Sequence, residues 1–176
     1  RVHVAYSGDR RTFGGLVSSM LSLTRYLRAP RDCTVHLIVD KADVGLARGM
    51  VKVFRHVLAG LPELPNVTLH ALRHVPIDIG QFEAPWFRPE LLKEQNYVRF
   101  YLHEYLPDVP RVLWLDTDTI VQADVTPLYQ MHMEHALAAR PFLPTGSMLL
   151  GYLRERFRHF AHRSPRRHWD FPNRSA

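Results

Sequence analysis

Asp116 and Asp118 interrupt an apolar run, with Val112-Leu113-Trp114-Leu115 before them and Ile120-Val121 after. In an extended chain, residues i and i+2 project to the same side. The spacing therefore predicts two carboxylates aimed at one point. Two hard oxygen donors on one side suit Mn²⁺ or Mg²⁺ and leave coordination positions for water and diphosphate oxygens. Such a pair serves a substrate whose leaving group is a phosphate. The bland alternative is a solvated turn at a strand end. The apolar run favours the first reading, because ligands of α/β sheets gather outside the carboxyl ends of the strands. Asp124 comes soon after, but Ala123-Asp124-Val125-Thr126-Pro127 reads as a turn into a short helix at Pro127.

Carboxylates so placed need a sheet behind them, and the rest of the chain supplies one. Residues 2–6 read as a strand and residues 7–11 as a loop. After Gly14-Gly15, a helical face carries Leu16, Met20, Leu23 and Leu27. Residues 34–39 are nearly all apolar, as expected of a strand covered on both sides. Asp40 or Asp43 is placed to cap a helix bearing Leu46, Met50, Val53, Phe54, Val57 and Leu58. Residues 67–72 alternate like a strand. A proline-rich connection follows over 76–89, and its Phe82, Trp86 and Phe87 point to a packed functional loop. Residues 90–106 read as one helix, with Tyr97, Tyr101 and Tyr105 spaced by four as core or core rim. Beyond the Asp-X-Asp segment the pattern predicts a short helix over 127–131, a strand over 136–139 and a helix from Thr145 to Phe160. This alternation is the rhythm of an α/β layered fold with a mostly parallel sheet. Neither a Gly-X-Gly-X-X-Gly nor a P-loop pattern occurs, which disfavours a dinucleotide enzyme or P-loop NTPase.

The 176 residues suffice for one domain with a real core, and 46% hydrophobic and 23% charged residues are ordinary for a globular protein. Cys33 is the only cysteine, which excludes an internal disulfide framework and a Cys-based zinc site; its apolar setting predicts a small core residue. No apolar run reaches 18 residues, so no membrane span is predicted. The chain starts at Arg1 rather than Met, so the lack of a leader carries no weight. The net charge of +6 is concentrated in residues 154–176, where seven arginines face Glu155 and Asp170. That end is suited to nucleic acid, an acidic polysaccharide or a membrane surface, or is simply a solvated helix face. His132 and His135 flank Glu134, and His159, His162 and His168 dot the basic end; both sets read as surface histidines.

Three segments together resemble the family 8 glycosyltransferases. They are Val4-Ala5-Tyr6-Ser7-Gly8-Asp9 with Ser19-Met20-Leu21-Ser22-Leu23 after it, Asn96-Tyr97-Val98-Arg99-Phe100-Tyr101-Leu102 closed by Leu106-Pro107, and Arg111 through Val121 around the Asp-X-Asp pair. Their order and spacing agree with the family over residues 1–130. The resemblance implies an α/β, GT-A-type, Rossmann-like and mostly parallel sheet with flanking helices. It also implies metal-dependent hexosyl transfer from a UDP-sugar, with retention, to a glycan or protein acceptor. Mn²⁺ (or Mg²⁺) is the implied cofactor. Residues 1–130 would be the nucleotide-sugar and metal-binding half of a single domain, and 131–176 a basic C-terminal segment.

The roles implied by the resemblance fall on particular positions. Asp9 matches the acidic residue at the uracil end of the nucleotide, and Ser7 lies where backbone groups approach the base. Arg99 matches the arginine that reaches the donor sugar and diphosphate. Asp116 and Asp118 match the metal pair, with Asp116 also placed to contact sugar or ribose. The family often has Asn two positions past the first acid, where this chain has Arg11. Lys93 resembles a basic residue of some members. The third metal ligand, a histidine, and most of the acceptor site would lie beyond Ala176, so the chain is expected to be incomplete on that side and its catalytic residues unassigned.

Each assignment has a plainer rival: Arg99 paired with Glu94 or Glu104 on its own helix, Asp9 merely shaping a turn. The readings weighed against the transferase are a non-catalytic nucleotide- or glycan-binding fragment of the same fold and a basic nucleic-acid-associated domain. The last lacks an aromatic platform or a known module, and no nucleic-acid partner is expected. The sequons Asn66-Val67-Thr68 and Asn173-Arg174-Ser175 fit a secretory, Golgi-type enzyme if the source is eukaryotic, and a cytoplasmic one otherwise.

Overall fold

A computed structural model describes residues 1–73 and 93–133. These belong almost wholly to a compact unit, Arg1–His132. Among the described residues four strands form one sheet: β1 (Val2–Gly8), β2 (Cys33–Val39), β3 (Asn66–Ala71) and β4 (Leu113–Trp114). Their order is β3-β2-β1-β4, and every neighbouring pair is parallel. The sequence rhythm predicted the mostly parallel pairing but not the strand order. Parallel neighbours require crossover connections, and helices α1 (Phe13–Tyr26) and α2 (Val44–Val57) provide the first two.

Alternation along the strands divides the side chains between two apolar clusters. Val4 and Tyr6 of β1 and Val35, Leu37 and Val39 of β2 pack with Leu16, Met20 and Leu23 of α1 and Ala47, Val51 and Phe54 of α2. Cys33 lies fully buried in the same cluster, where burial pushes its thiol up to about 12, so it is an inert core residue. On the opposite face, Ile38 packs with Leu72, Val98, Tyr105 and Leu106, with Tyr97, Tyr101 and Trp114 at the margin. The tyrosine stripe is therefore core and core rim, as its spacing implied.

Several boundaries differ from the sequence reading. Ser7 and Gly8 extend β1 and are not loop, because their backbone pairs with Ile38 and Val39 of β2. Helix α1 begins at Phe13 and includes Gly14 and Gly15. Asp40 caps only a single 3₁₀ turn, accepting from Ala42 N–H at 3.0 Å. Asp43 precedes α2 without capping it; its carboxylate instead accepts the Arg10 N–H at 3.0 Å. The expected helix over 90–106 is, among the described residues, two 3₁₀ turns at Glu94–Asn96 and Val98–Phe100 and then a short α3 (Leu102–Tyr105). The cause is local. Asn96-Tyr97-Val98-Arg99-Phe100-Tyr101 is dominated by residues of middling or poor helix propensity, and 3₁₀ geometry is tolerated only in short pieces.

The segment after β4 is fastened to the rest of the fold. Val121 N–H donates to Ser22 Oγ of α1 at 2.9 Å. Helix α4 (Thr126–Gln130) opens on an Asp124 carboxylate that accepts from both Thr126 N–H and Thr126 Oγ. Arg111 and Tyr129 bind each other's backbone carbonyls, at 2.6 and 2.9 Å. The predicted strand over 136–139 and helix over 145–160 lie outside the described residues.

Candidate active site

Strand order reverses direction between β1 and β4, and such a switch point opens a crevice at the carboxyl ends of its strands. Asp9 follows β1 directly; Asp116 and Asp118 follow β4. The acids read from the sequence thus follow the carboxyl ends of two adjacent strands, because β1 and β4 are hydrogen-bonded neighbours, with Leu115 N–H donating to Ala5 C=O at 3.0 Å.

At the β1 end, Asp9 holds a turn and faces a cleft. Its backbone carbonyl accepts the Thr12 N–H at 2.9 Å, and its Oδ1 accepts the Arg11 N–H at 3.0 Å. Its other oxygen, Oδ2, accepts from Lys93 Nζ at 2.9 Å. The side chain is 17% exposed. Burial by itself would raise its pKa, but the bonds from Lys93 and the Arg11 N–H outweigh burial and hold the carboxyl below its ordinary value. Asp9 is therefore a fixed anion near neutral pH, and the turn-shaping role and the outward carboxylate coexist. The adjoining cleft encloses about 600 Å³ and is lined by Asp9, Arg10, Asp40, Asp43, Lys93 and Gln95, among others. Ser7 Oγ is buried with no hydrogen-bond partner among the described residues.

At the β4 end the extended geometry assumed for the acidic pair is corrected. Pairing stops at Trp114, and Asp116-Thr117-Asp118-Thr119 forms a turn closed by Thr119 N–H to Asp116 C=O at 3.0 Å. Strand alternation therefore does not set the two carboxylates' directions. Both residues are exposed. Asp116 Oδ1 accepts from Arg99 Nη2 at 3.1 Å and from Trp114 Nε1 at 2.9 Å. Arg99 thus reaches across to the Asp-X-Asp turn, with its Nε on the Asn96 carbonyl at 3.1 Å. Its guanidinium lies over the Trp114 ring, 5.2 Å from the centroid.

One stretch of chain serves both ends. Lys93 pairs with Asp9 and, six residues later, Arg99 pairs with Asp116. The 3₁₀ turns between them let the two cations reach separate strands. The sequence offered Lys93 only as a loose likeness, and it offered no sign of Trp114 beyond its position two residues before Asp116. Among the described residues, no cluster of three or more His, Cys, Asp or Glu is placed to hold a metal ion.

Gly15 was legible only as a glycine. A Cβ there would stand 2.7 Å from the Thr117 carbonyl oxygen. Inside an ordinary helix, Gly→Ala gains about 1 kcal/mol. Here the Asp-X-Asp turn itself blocks the methyl group, so overpacking of about 1–3 kcal/mol opposes that gain. Gly15→Ala is expected to leave Tm unchanged or lowered, whereas Gly14→Ala, with nothing within 4 Å, raises it. Paired thermal melts of the two variants check this, and equal stabilisation by both would refute the close approach.

The family model for "Glycosyl transferase family 8" matches residues 70–173. Among curated relatives, "Probable galacturonosyltransferase-like 9" of Arabidopsis thaliana is 28% identical over 151 residues, covering 85% of this chain and 34% of that protein. "Glycosyltransferase 8 domain-containing protein 2" of Homo sapiens is 45% identical over 61 residues, covering 34% and 18%. The chain spans 34–38% of the length of the Arabidopsis relatives it matches. Among solved structures, the apo form of the bifunctional glycosyltransferase WbbM superposes with a TM-score of 0.50 at 17% identity, over 74% of this chain and 21% of that one. That likeness concerns the fold, and it agrees with the parallel sheet described above.

Proposed function

The chain belongs to glycosyltransferase family 8, and from that premise we propose that it binds a UDP-sugar and takes part in passing the sugar, with retention, to a glycan or glycoprotein acceptor. The observation that carries this reading is the pairing of two acidic strand ends with two cations of one segment, at the switch point of a parallel sheet. In this reading Asp9 accepts an N–H of the base in the cleft beside it, next to Ser7. Arg99, permanently charged and forked, serves the diphosphate or sugar hydroxyls. Asp116 and Asp118 hold Mn²⁺ or Mg²⁺; exposed hard-oxygen donors on one turn fit such an ion as part of its ligand set. When bound, a divalent ion would offset the negative charge that grows on the leaving diphosphate. Arg99 adds fixed positive charge at the same edge, already oriented by Asp116 and Trp114.

The donor sugar is a choice among glucose, galactose, galacturonate and xylose; the name of the Arabidopsis relative puts galacturonate first to be tried. Residence in the secretory pathway belongs to the same proposal and is supported by the exposed sequon residue Asn66 at the start of β3. No helix among the described residues is long and apolar enough to cross a membrane.

Calorimetric titration of UDP into this chain tests the reading. Binding is expected in the presence of Mn²⁺, to be lost on adding EDTA, and to be weaker for CDP and GDP. A folded chain that takes up no UDP in Mn²⁺ would sink the donor-site reading. Release of UDP from a UDP-sugar by a longer chain, once an acceptor is supplied, separates a transferase from a binding module.

A further inference from the structure

Among the described residues, Trp114 is the one at the β4 end that touches both charged partners. Its ring is anchored on the second face of the sheet, against the cluster of Ile38, Leu72, Val98, Tyr105 and Leu106, and its backbone is held in register with Ala5 of β1. From that fixed base its indole N–H donates to Asp116 Oδ1 at 2.9 Å, and its face carries the Arg99 guanidinium at 5.2 Å. Arg99 Nη2 closes the triangle on the same oxygen at 3.1 Å.

The consequence is a division of labour between the two oxygens of one carboxylate. Oδ1 accepts from two donors, which fixes the carboxylate plane and leaves Oδ2 as the oxygen without a bond among the described residues. Arg99 in turn is held by three contacts: Asp116, the Asn96 carbonyl and the indole face. Exposed long side chains ordinarily lose much of an ion pair's benefit to their own freedom. Here a rigid aromatic group with a single directed donor removes that freedom from both partners.

We propose that Trp114 is a positioning residue of the donor site: its indole N–H sets the Asp116 carboxylate so that Oδ2 is the oxygen offered to the metal-bound donor, and its ring orients Arg99. This rests on the donor-site reading above. No hydrogen-bonding role of this kind is available to phenylalanine, so Trp114→Phe separates the N–H from the ring. The variant keeps the apolar surface in its cluster and the face beneath Arg99.

Two measurements test the proposal. In the first, UDP is titrated into the unaltered chain and into Trp114→Phe, each with and without Mn²⁺. A hydrogen bond to a charged group is stronger than one between neutral groups, and Arg99 still holds Oδ1 in the variant. The Mn²⁺-dependent affinity is therefore expected to fall about 10-fold, with little change in any metal-free binding. Equal Mn²⁺-dependent affinity in a folded Trp114→Phe variant would overturn the proposal.

The second measurement does not depend on donor binding. The Trp114 indole N–H resonance, assigned by its disappearance in Trp114→Phe, is expected downfield of a free indole and displaced by Asp116→Asn. An indole signal indifferent to Asp116→Asn would overturn the contact itself, even for a chain that binds no UDP. Failure of UDP binding in the unaltered chain, with the indole signal responding, strikes the donor-site reading and the assigned role while leaving the contact standing.

Discussion

Asp116→Ala/Asp118→Ala is expected to lower Mn²⁺-dependent UDP binding by about 1,000-fold while leaving the fold intact. Each unit-charge pair at about 4 Å contributes roughly 4 kcal/mol at an effective dielectric constant near 20. Both carboxylates are exposed, with Asp116 at 55%, so screening by water and salt takes about half of that. What remains for two carboxylates is about 4 kcal/mol, or three powers of ten in affinity. The fold should not suffer. Neither carboxylate is buried, and the lost partner of Arg99 leaves that guanidinium over Trp114 and on the Asn96 carbonyl. Thermal melts within about 2 °C of the parent would show this. Titration of UDP in Mn²⁺ then reads the effect on binding, and a variant that still binds UDP at parental affinity would remove the acidic pair from the site. Asp9→Asn, by contrast, keeps the shape of the turn and removes the charge paired with Lys93, so on the donor-site reading its loss should follow the base and not the metal.

Much of this site was legible because it lies in two local patterns. The fully apolar run of β2 announced a strand covered on both faces, and the strand–helix alternation announced a parallel sheet. The Asp-X-Asp pair stood out by its own spacing, whereas Asp9 was read only from the resemblance to family 8; the pairing of β1 with β4 puts the ends of both strands on adjacent strands. What local pattern does not encode is who approaches whom across the chain. Lys93 meets Asp9 across 84 residues and Arg99 meets Asp116 across 17. The apolar periodicity of residues 90–106 suggested one continuous helix, on which Arg99 would have faced its helical neighbours. Poor helix formers at 96–101 broke that helix into 3₁₀ turns and swung Arg99 to β4. The Asp-X-Asp turn imitates an extended segment for a similar reason: apolar residues on both sides resemble a strand, yet the last bond to β1 is Leu115 N–H to Ala5 C=O, and the chain then turns. Gly15 illustrates the remainder, since only the approach of Thr117 O to within 2.7 Å of its Cβ position distinguishes it from Gly14.

The second large effect is on stability and comes from three histidines on neighbouring strands. His3 Nδ1 lies 3.0 Å from His36 Nε2, and His36 Nδ1 lies 3.1 Å from His70 Nε2, with successive ring centroids 5.3 Å apart. A neutral imidazole has one N–H and one lone pair, so His36 donates to one neighbour and accepts from the other. His36 is 6% exposed. Burial first, and then the charges His70 and His3 would carry, push its pKa down to about 4. Burial and Arg73 lower His70 in the same direction, as burial, the N-terminal amine and Arg1 lower His3. The folded pKa lies below the unfolded value of about 6.5, so the unfolded chain binds more protons between the two. Stability is therefore fully present above pH 6.5 and is lost as pH falls toward 4. For His36 alone the loss is about 3 kcal/mol, a large share of the roughly 5–15 kcal/mol that holds a domain together. Asp9 does not blur this window: its carboxyl is held below the ordinary carboxylate value, so its contribution disappears only at still lower pH. Urea unfolding at pH 7.5, 6.0 and 4.5 should show this fall in the parent chain. His36→Phe fills the same buried space with a ring that cannot be protonated. It should start about 1 kcal/mol less stable at pH 7.5, because His3 and His70 each lose a partner, and then decline more gently with acid. Parallel pH profiles for parent and variant would mean that the ladder does not govern acid stability, and that other groups carry the proton uptake.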